Sequence, residues 1–167
     1  MSSHLLSWII FTPLVGALTV LFVPKSAGRS IKWVSLGFTG ILMGLTAWAL
    51  TIFQPSQPGF QMIERAMWIP QFGVQYLLGT DGISFPMVLL TAIISFVACL
   101  GSFGIKEREK EYYFLYLLLV TGMMGTFLAL DLFLFYIFWE VVLVPMYFLI
   151  GIWGGPRREY AAIKFFL

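Results

Sequence analysis

Long uncharged apolar runs alternate with short polar stretches along this chain. Leu5 to Val23, Trp33 to Phe53 and Ile83 to Ile105 contain no Asp, Glu, Lys or Arg. An α-helix rises about 1.5 Å per residue, so about 20 apolar residues cross the roughly 30 Å of hydrocarbon in a bilayer. Each run therefore predicts one spanning helix. Tyr112 to Trp153 is long enough for two, and only Asp131 and Glu140 interrupt it. Asp131 is the break: a fourth helix over 112–130 ends at Ala129 and Leu130, and Asp131 caps a fifth from Leu132 to about Ile152. Gly154-Gly155-Pro156-Arg157-Arg158 close that helix, and a sixth starts at about Glu159.

The polar stretches are read in the same way. Pro24 to Lys32 is expected to be a turn, and Pro13 a kink that a membrane helix tolerates. Lys106-Glu107-Arg108-Glu109-Lys110-Glu111 reads as a solvated turn with no further role. Residues 54–81 form the one long loop, and Asp81 is the expected N-cap of the third helix. Phe72-Gly73-Val74-Gln75-Tyr76 alternates with period two and could pair with the stretch around Met67 and Ile69 across Pro70-Gln71. A small β-hairpin and an irregular interfacial loop both fit. A sixth helix of nine residues covers only about 14 Å. The expectation is a fragment of a longer protein; the alternative is a terminal segment lying flat at the interface.

Composition narrows the class. The chain is 60% hydrophobic and 11% charged, with a mean hydropathy of +0.92, whereas soluble domains carry about 25% charged residues. The expected fold is an all-α polytopic membrane protein: a single membrane domain with helices at about 5–23, 33–53, 83–105, 112–130 and 132–152. Met1-Ser2-Ser3-His4 has no basic leader, so the first run reads as a retained helix and not a signal peptide. Lys and Arg gather after the first, third and fifth helices, at Lys25, Arg29, Lys32, Lys106, Arg108, Lys110, Arg157 and Arg158, while the long loop holds only Arg65. The positive-inside rule then places those turns inside, and the N-terminus and long loop outside. A net charge of +2, scattered among turns, gives no footing for nucleic acid. Cys99 is alone within an apolar run and His4 stands far from it, so neither a disulfide nor a usual metal site is expected. No glycine-rich phosphate loop follows a strand.

Glu140 is the candidate for chemistry. Nine residues past Asp131, it lies about 13 Å into the membrane. A charge at the bilayer centre costs about 2.5–3.5 kcal/mol on insertion scales. An unpaired carboxyl there stays protonated, and a nearby cation lets it ionise, which is the behaviour of a proton relay. Tyr136 and Tyr147, four before and seven after, share its helical face and could hold water in line with it. Pro145 has no N–H and so frees the carbonyl of Val141. Ordinary helix bonding by a neutral Glu140, aromatic packing by the tyrosines and a purely structural kink are the plainer readings. Lys164 is a weaker candidate, able to snorkel or to face the interior. Gly40…Gly44 and Gly122…Gly125 read as close helix contacts.

Two stretches carry a resemblance: Leu130-Asp131-Leu132-Phe133-Leu134-Phe135-Tyr136-Ile137-Phe138-Trp139-Glu140, and Val144-Pro145-Met146-Tyr147-Phe148-Leu149-Ile150-Gly151-Ile152-Trp153-Gly154-Gly155. With Thr12-Pro13-Leu14-Val15-Gly16, Asp81-Gly82-Ile83-Ser84 and Ala161-Ala162-Ile163-Lys164-Phe165-Phe166, the chain resembles, over its whole length, the M-subunit (chain 4) family of NADH:quinone oxidoreductase, respiratory complex I. The resemblance implies the N-terminal part of an antiporter-like, proton-translocating membrane-arm subunit built of inverted repeats. It implies that Glu140 pairs with a lysine on a later helix, beyond Leu167. It further implies that NADH, flavin, iron–sulfur clusters and quinone belong to other parts of the complex and none to this chain. The implied partners are the other membrane-arm subunits and the lipid bilayer. The implied site is a prokaryotic plasma membrane, with the mitochondrial inner and thylakoid membranes as alternatives. A subunit of an Mrp-type cation/proton antiporter or membrane-bound hydrogenase is the nearest rival, and a structural membrane scaffold is a rival of another class.

Overall fold

The structure, a computed structural model, describes residues 4–167. Met1, Ser2 and Ser3, which open the stretch expected to lead into the first helix, lie outside the described residues. Five helices are long and apolar enough to cross a membrane: α1 (Leu5–Phe22), α2 (Gly28–Ile52), α3 (Ser84–Gly101), α4 (Glu109–Leu128) and α5 (Leu132–Trp153). A short α6 (Arg158–Phe166) follows. The polytopic all-α expectation therefore holds. α1 and α4 pack together at the centre, with α2 and α3 on one side and α5 and α6 on the other. Leu6, Ile9, Ala17 and Val20 of α1 are fully buried, as are Leu117, Val120, Met124 and Leu128 of α4. Spacings of three and eight residues in α1, and of three and four in α4, put them on one stripe of each helix.

Small residues bring the outer helices in. A Cβ on Gly122 would stand 2.8 Å from the Val142 side chain, and one on Gly125 would overlap the ring of Phe138. The α4–α5 contact thus depends on both glycines, in keeping with membrane interfaces where close backbone approach replaces the hydrophobic effect. Gly40 faces Phe96 of α3, whereas Gly44 has nothing near it. Of the first pair, only Gly40 makes the expected contact.

The long loop folds into a hairpin. β1 (Gln61–Ile69) pairs antiparallel with β2 (Val74–Thr80) through a 3₁₀ turn at Pro70–Phe72 and Gly73 at φ 66°. Met67 stands opposite Gln75 and Ala66 opposite Tyr76. Strand β1 begins six residues before Met67 because the pairing runs past the alternating segment, with shifted register between Gln61 and Glu64. Met62 sits in that shift at φ 54°, and a bulge of this kind re-aims the side chains beside it.

Two turns are shorter than the sequence suggests. α2 starts at Gly28 and α4 at Glu109, so Arg29, Lys32, Glu109, Lys110 and Glu111 lie in helical first turns. The reading of residues 106–111 as a solvated turn without a role is corrected here. Lys32 pairs with Glu109 at 3.0 Å and donates to the carbonyl of Phe103 at 2.9 Å. Lys25 pairs with Glu111 at 2.8 Å, and Lys110 donates to the carbonyl of Leu21 at 2.7 Å. Trp153 donates to the carbonyl of Glu107 at 2.9 Å. Acids suit a helix N-terminus and lysines a C-terminal carbonyl, so this charge run ties α1, α2, α4 and α5 together at the basic end of the bundle.

Candidate functional site

Glu140 is the ninth residue of the 22 in α5. The helix starts where the sequence says it should: Asp131 accepts from the N–H groups of Phe133 (2.9 Å) and Leu134 (3.2 Å). Its other oxygen accepts from Gln75 N–H on β2 at 3.1 Å. The backbone donor of Gln75 is the largest reason why the Asp131 carboxyl is held below the ordinary carboxylate range, with those of Leu134 and Phe133 adding to it. A bond from Leu130 N–H to the Leu77 carbonyl, 2.9 Å, fixes the same corner. The depth of Glu140 is therefore set by a cap anchored to the hairpin.

Leu134, Phe138 and Pro145 form the buried stripe of α5. At 100° per residue, Glu140, Tyr136 and Tyr147 lie on the opposite side, away from α4. Tyr136 lies one turn before Glu140 on that face, its hydroxyl within electrostatic reach of the carboxyl. Tyr147 instead meets Phe166 of α6, with ring centroids 5.5 Å apart. Lys164 is exposed and holds its ammonium 5.7 Å from the ring centroid of Tyr160. Among the described residues no hydrogen bond or ion pair joins Tyr136, Tyr147 or Lys164 to Glu140; Tyr136 is set apart by its place on the same face, one turn away. The structure thus brings Tyr136 and Glu140 together and sets the other two candidates towards α6. Chemically, the pair is an acid and a phenol on a helix face that the described helices leave largely open. No three His, Cys, Asp or Glu side chains converge among the described residues.

A second acid, which sequence reasoning passed over, organises the opposite end. Glu64 of β1 is only 6% exposed. It accepts from Leu6 N–H at 2.6 Å and from the Ser7 hydroxyl at 2.5 Å, and His4 Nδ1 stands 4.0 Å from it. Ser7 Oγ also lies 2.8 Å from the Tyr76 hydroxyl. Burial raises the Tyr76 phenol above its usual range and the Glu64 charge adds to this, against the Ser7 bond. The signal was present: Glu64 and Arg65 are adjacent in a strand, and adjacent strand residues point to opposite faces. Asp81 does cap the third helix, accepting from Ile83 N–H (3.0 Å) and Ser84 N–H (2.7 Å), and these donors hold its carboxyl low, Ser84 most.

Comparison with known proteins gives this arrangement a context. A family model described as "NADH:quinone oxidoreductase/Mrp antiporter, TM" matches residues 129–167, which hold α5, Glu140 and α6. The chain is 41% identical over its full length to NAD(P)H-quinone oxidoreductase chain 4 1 of Synechococcus elongatus, covering 32% of that protein. It is 39% identical to chain 4-2 of Synechocystis, over 97% of this chain and 29% of that one. The chain spans about a third of the length of the curated relatives it matches. Among solved structures, a chain of respiratory complex I from Thermus thermophilus with bound NADH superimposes at TM-score 0.78 and 24% identity, over 98% of this chain and 32% of that one. A chain of the membrane-bound sulfane sulfur reductase, an archaeal respiratory membrane complex, does so at 0.80 and 23%, over 97% and 33%. These two likenesses show the fold. The chain is a multi-pass membrane protein whose whole length is similar in sequence to part of the chain 4 proteins.

Proposed function

We propose that this chain is part of an antiporter-like membrane-arm subunit that translocates protons as electrons pass from NADH or NADPH to quinone. The reading rests on the 41% identity to a chain 4 protein over every residue of this chain. Glu140 supports it from the side of chemistry. A carboxyl in the middle of a spanning helix, on a face the described helices leave open, calls for further protein to cover it, and the relatives have twice this length again. In this reading a lysine on a later helix approaches and leaves Glu140. The carboxyl ionises as the cation arrives and takes a proton as it withdraws, with Tyr136 beside it to pass hydrogen bonds to water. Redox groups reside in other subunits, and this chain contributes the proton step alone. The basic end then faces the cytoplasm or its equivalent and the hairpin faces out, in a plasma or thylakoid membrane.

The test is Glu140→Gln in the full-length protein within the assembled complex, reading proton pumping and quinone reduction together. Loss of pumping, with slowed coupled electron transfer, is the expected result. Unchanged pumping would sink the relay. Because the matching family model also covers Mrp antiporters, a second reading is cation/proton exchange without a redox arm. Purification of the native protein separates the two: redox subunits accompany it in the first reading and are absent in the second.

A further inference from the structure

Three helices carry polar rows at their basic ends. α2 has Lys32, Ser35 and Thr39, α3 has Ser95, Cys99 and Ser102 at and just past its end, and α4 has Glu109, Tyr113 and Tyr116. Spacings of three and four residues put each row on one helix face. Farther from the basic end the buried residues turn apolar, with Ala92, Val88 and Phe85 on α3 and Val120, Met124 and Leu128 on α4. The rows meet. Lys32 pairs with Glu109 at 3.0 Å and donates to the carbonyl of Phe103, beside Ser102, at 2.9 Å. The Tyr112 hydroxyl stands 2.8 Å from Ser102 Oγ, and Tyr116 donates to the Ser95 carbonyl. The Tyr113 phenol is within electrostatic reach of Cys99 and Glu109, and Cys99 lies near Thr39.

Three hydroxyls in these rows are left over. Ser35 Oγ, Ser95 Oγ and Tyr113 Oη are buried without a hydrogen-bond partner among the described residues, in residues that are 0%, 2% and 0% exposed. A hydroxyl inside a helix commonly bonds the carbonyl one turn back, as those of Thr39, Thr46, Ser102 and Thr121 do. Ser35 and Ser95 do not. Tyr113 has less freedom still: its oxygen lies on the ring axis, so turning the ring leaves it in place. An unbonded hydroxyl in an apolar interior is costly, and buried water is the usual partner of such a group. The three helices that enclose these hydroxyls all belong to this chain, so no further protein is needed to cover them. We propose that water is bound inside the bundle between α2, α3 and α4, held by Tyr113 Oη and the Ser35 and Ser95 hydroxyls, with Cys99 beside it. A buried water needs two to four polar partners, which these hydroxyls supply. The site is independent of Glu140, which lies on the side of α5 turned away from α4. It gives the basic end a hydrogen-bonded inlet that runs from the Lys32–Glu109 pair to Tyr116 and stops against Val120 and Met124.

The experiment is radiolytic footprinting of the full-length protein in its assembled complex. An X-ray pulse makes hydroxyl radicals from bound as well as bulk water, and a scavenger in the buffer removes the bulk ones. Peptide mass spectrometry then compares Cys99 and Tyr113 with Met124, a readily oxidised side chain that is equally buried. Cys99 and Tyr113 should be oxidised well above Met124. Tyr113→Phe removes one net hydrogen bond to the water and should lower the oxidation of Cys99 by about two- to tenfold. The same variant should lower the thermal midpoint of the full-length protein in detergent. A dry site gives the opposite sign, because removing an orphaned buried hydroxyl relieves the protein of its desolvation cost. Ser95→Val puts a methyl group in place of one hydroxyl and should bring Cys99 down to the level of Met124; if that variant does not assemble, the parent protein and Tyr113→Phe decide without it. Cys99 and Tyr113 oxidised no more than Met124, Cys99 oxidation unchanged in Tyr113→Phe, or a raised midpoint in that variant overturns the proposal.

Discussion

The carboxylate of Glu64 holds the first turn of α1 from 57 residues away, with the Ser7 hydroxyl donating to its Oε2 at 2.5 Å and the Ser7 N–H at 3.2 Å. A helix N-terminus has free N–H groups that local side chains usually satisfy. Among the described residues α1 has no local side-chain cap, since His4 makes no capping bond, and the hairpin supplies the acceptor. Glu64→Ala removes it while leaving the buried Leu6 N–H and the part-buried Ser7 N–H and hydroxyl without their acceptor, a loss of about 1–3 kcal/mol. Glu64→Gln keeps one acceptor oxygen and should lose less. Thermal unfolding of the full-length protein in detergent, with hydrogen exchange at Leu6 and Ser7, checks both. A Glu64→Ala protein as stable as its parent would contradict the cap.

Asp131 makes the equivalent link at the other side of the hairpin, and it gives a pH dependence. Its folded carboxyl lies below the ordinary range, first because Gln75 N–H donates to it. A group whose folded value is depressed adds stability that is complete above the unfolded value, about 3.9 for Asp. That contribution fades as pH falls through the folded value. Asp81 behaves alike, through Ser84 and Ile83. Acid titration of helix content should therefore show a loss below about pH 4 that is reduced in Asp131→Asn. Asp131→Ala should cost about 1 kcal/mol at neutral pH, the usual worth of a cap.

The spans, the break at Asp131, the cap at Asp81 and the close approach at Gly122 and Gly125 were legible because each depends on local composition. Apolar length dictates a crossing whatever packs on it, and a cap needs only its own turn. The roles of Glu64, Lys32, Glu109 and Lys110 were not legible in that way. Their partners are 57 residues distant for Glu64, 71 for Lys32 to Phe103 and 89 for Lys110, so no window of sequence holds both halves. Glu140 stood out by its depth alone; of the two tyrosines expected on its face, Tyr136 lies on the preceding turn, whereas the ring of Tyr147, beyond Pro145, meets Phe166 of α6.

The α4–α5 seam offers a steric prediction. A Cβ on Gly125 would fall within the Phe138 ring, so either the ring or the helix must move. Gly125→Ala should destabilise the protein by about 1–3 kcal/mol, the range for overpacking. Adding Phe138→Leu should recover part of that, because the smaller side chain vacates the space. A thermal double-mutant cycle reads the coupling. Strict additivity of the two changes would mean that the helices do not meet at this pair.

Tyr136 and Glu140 supply the sharpest test of the candidate site. The phenol lies one turn before the acid on the open face of α5, within electrostatic reach of it, while the ring of Tyr147 is engaged with Phe166. If the hydroxyl steadies the carboxyl and passes hydrogen bonds to water, Tyr136→Phe removes one net bond, worth about 0.5–1.5 kcal/mol. Proton pumping by the assembled complex should then fall by about two- to tenfold, less than in Glu140→Gln, with the fold unchanged because the ring stays. Tyr147→Phe keeps the contact with Phe166 and should have the smaller effect. The comparison of the two phenylalanine variants separates the readings. A larger loss for Tyr147→Phe would move the relay towards α6, and equal, negligible losses would leave Glu140 without a hydroxyl partner in this chain.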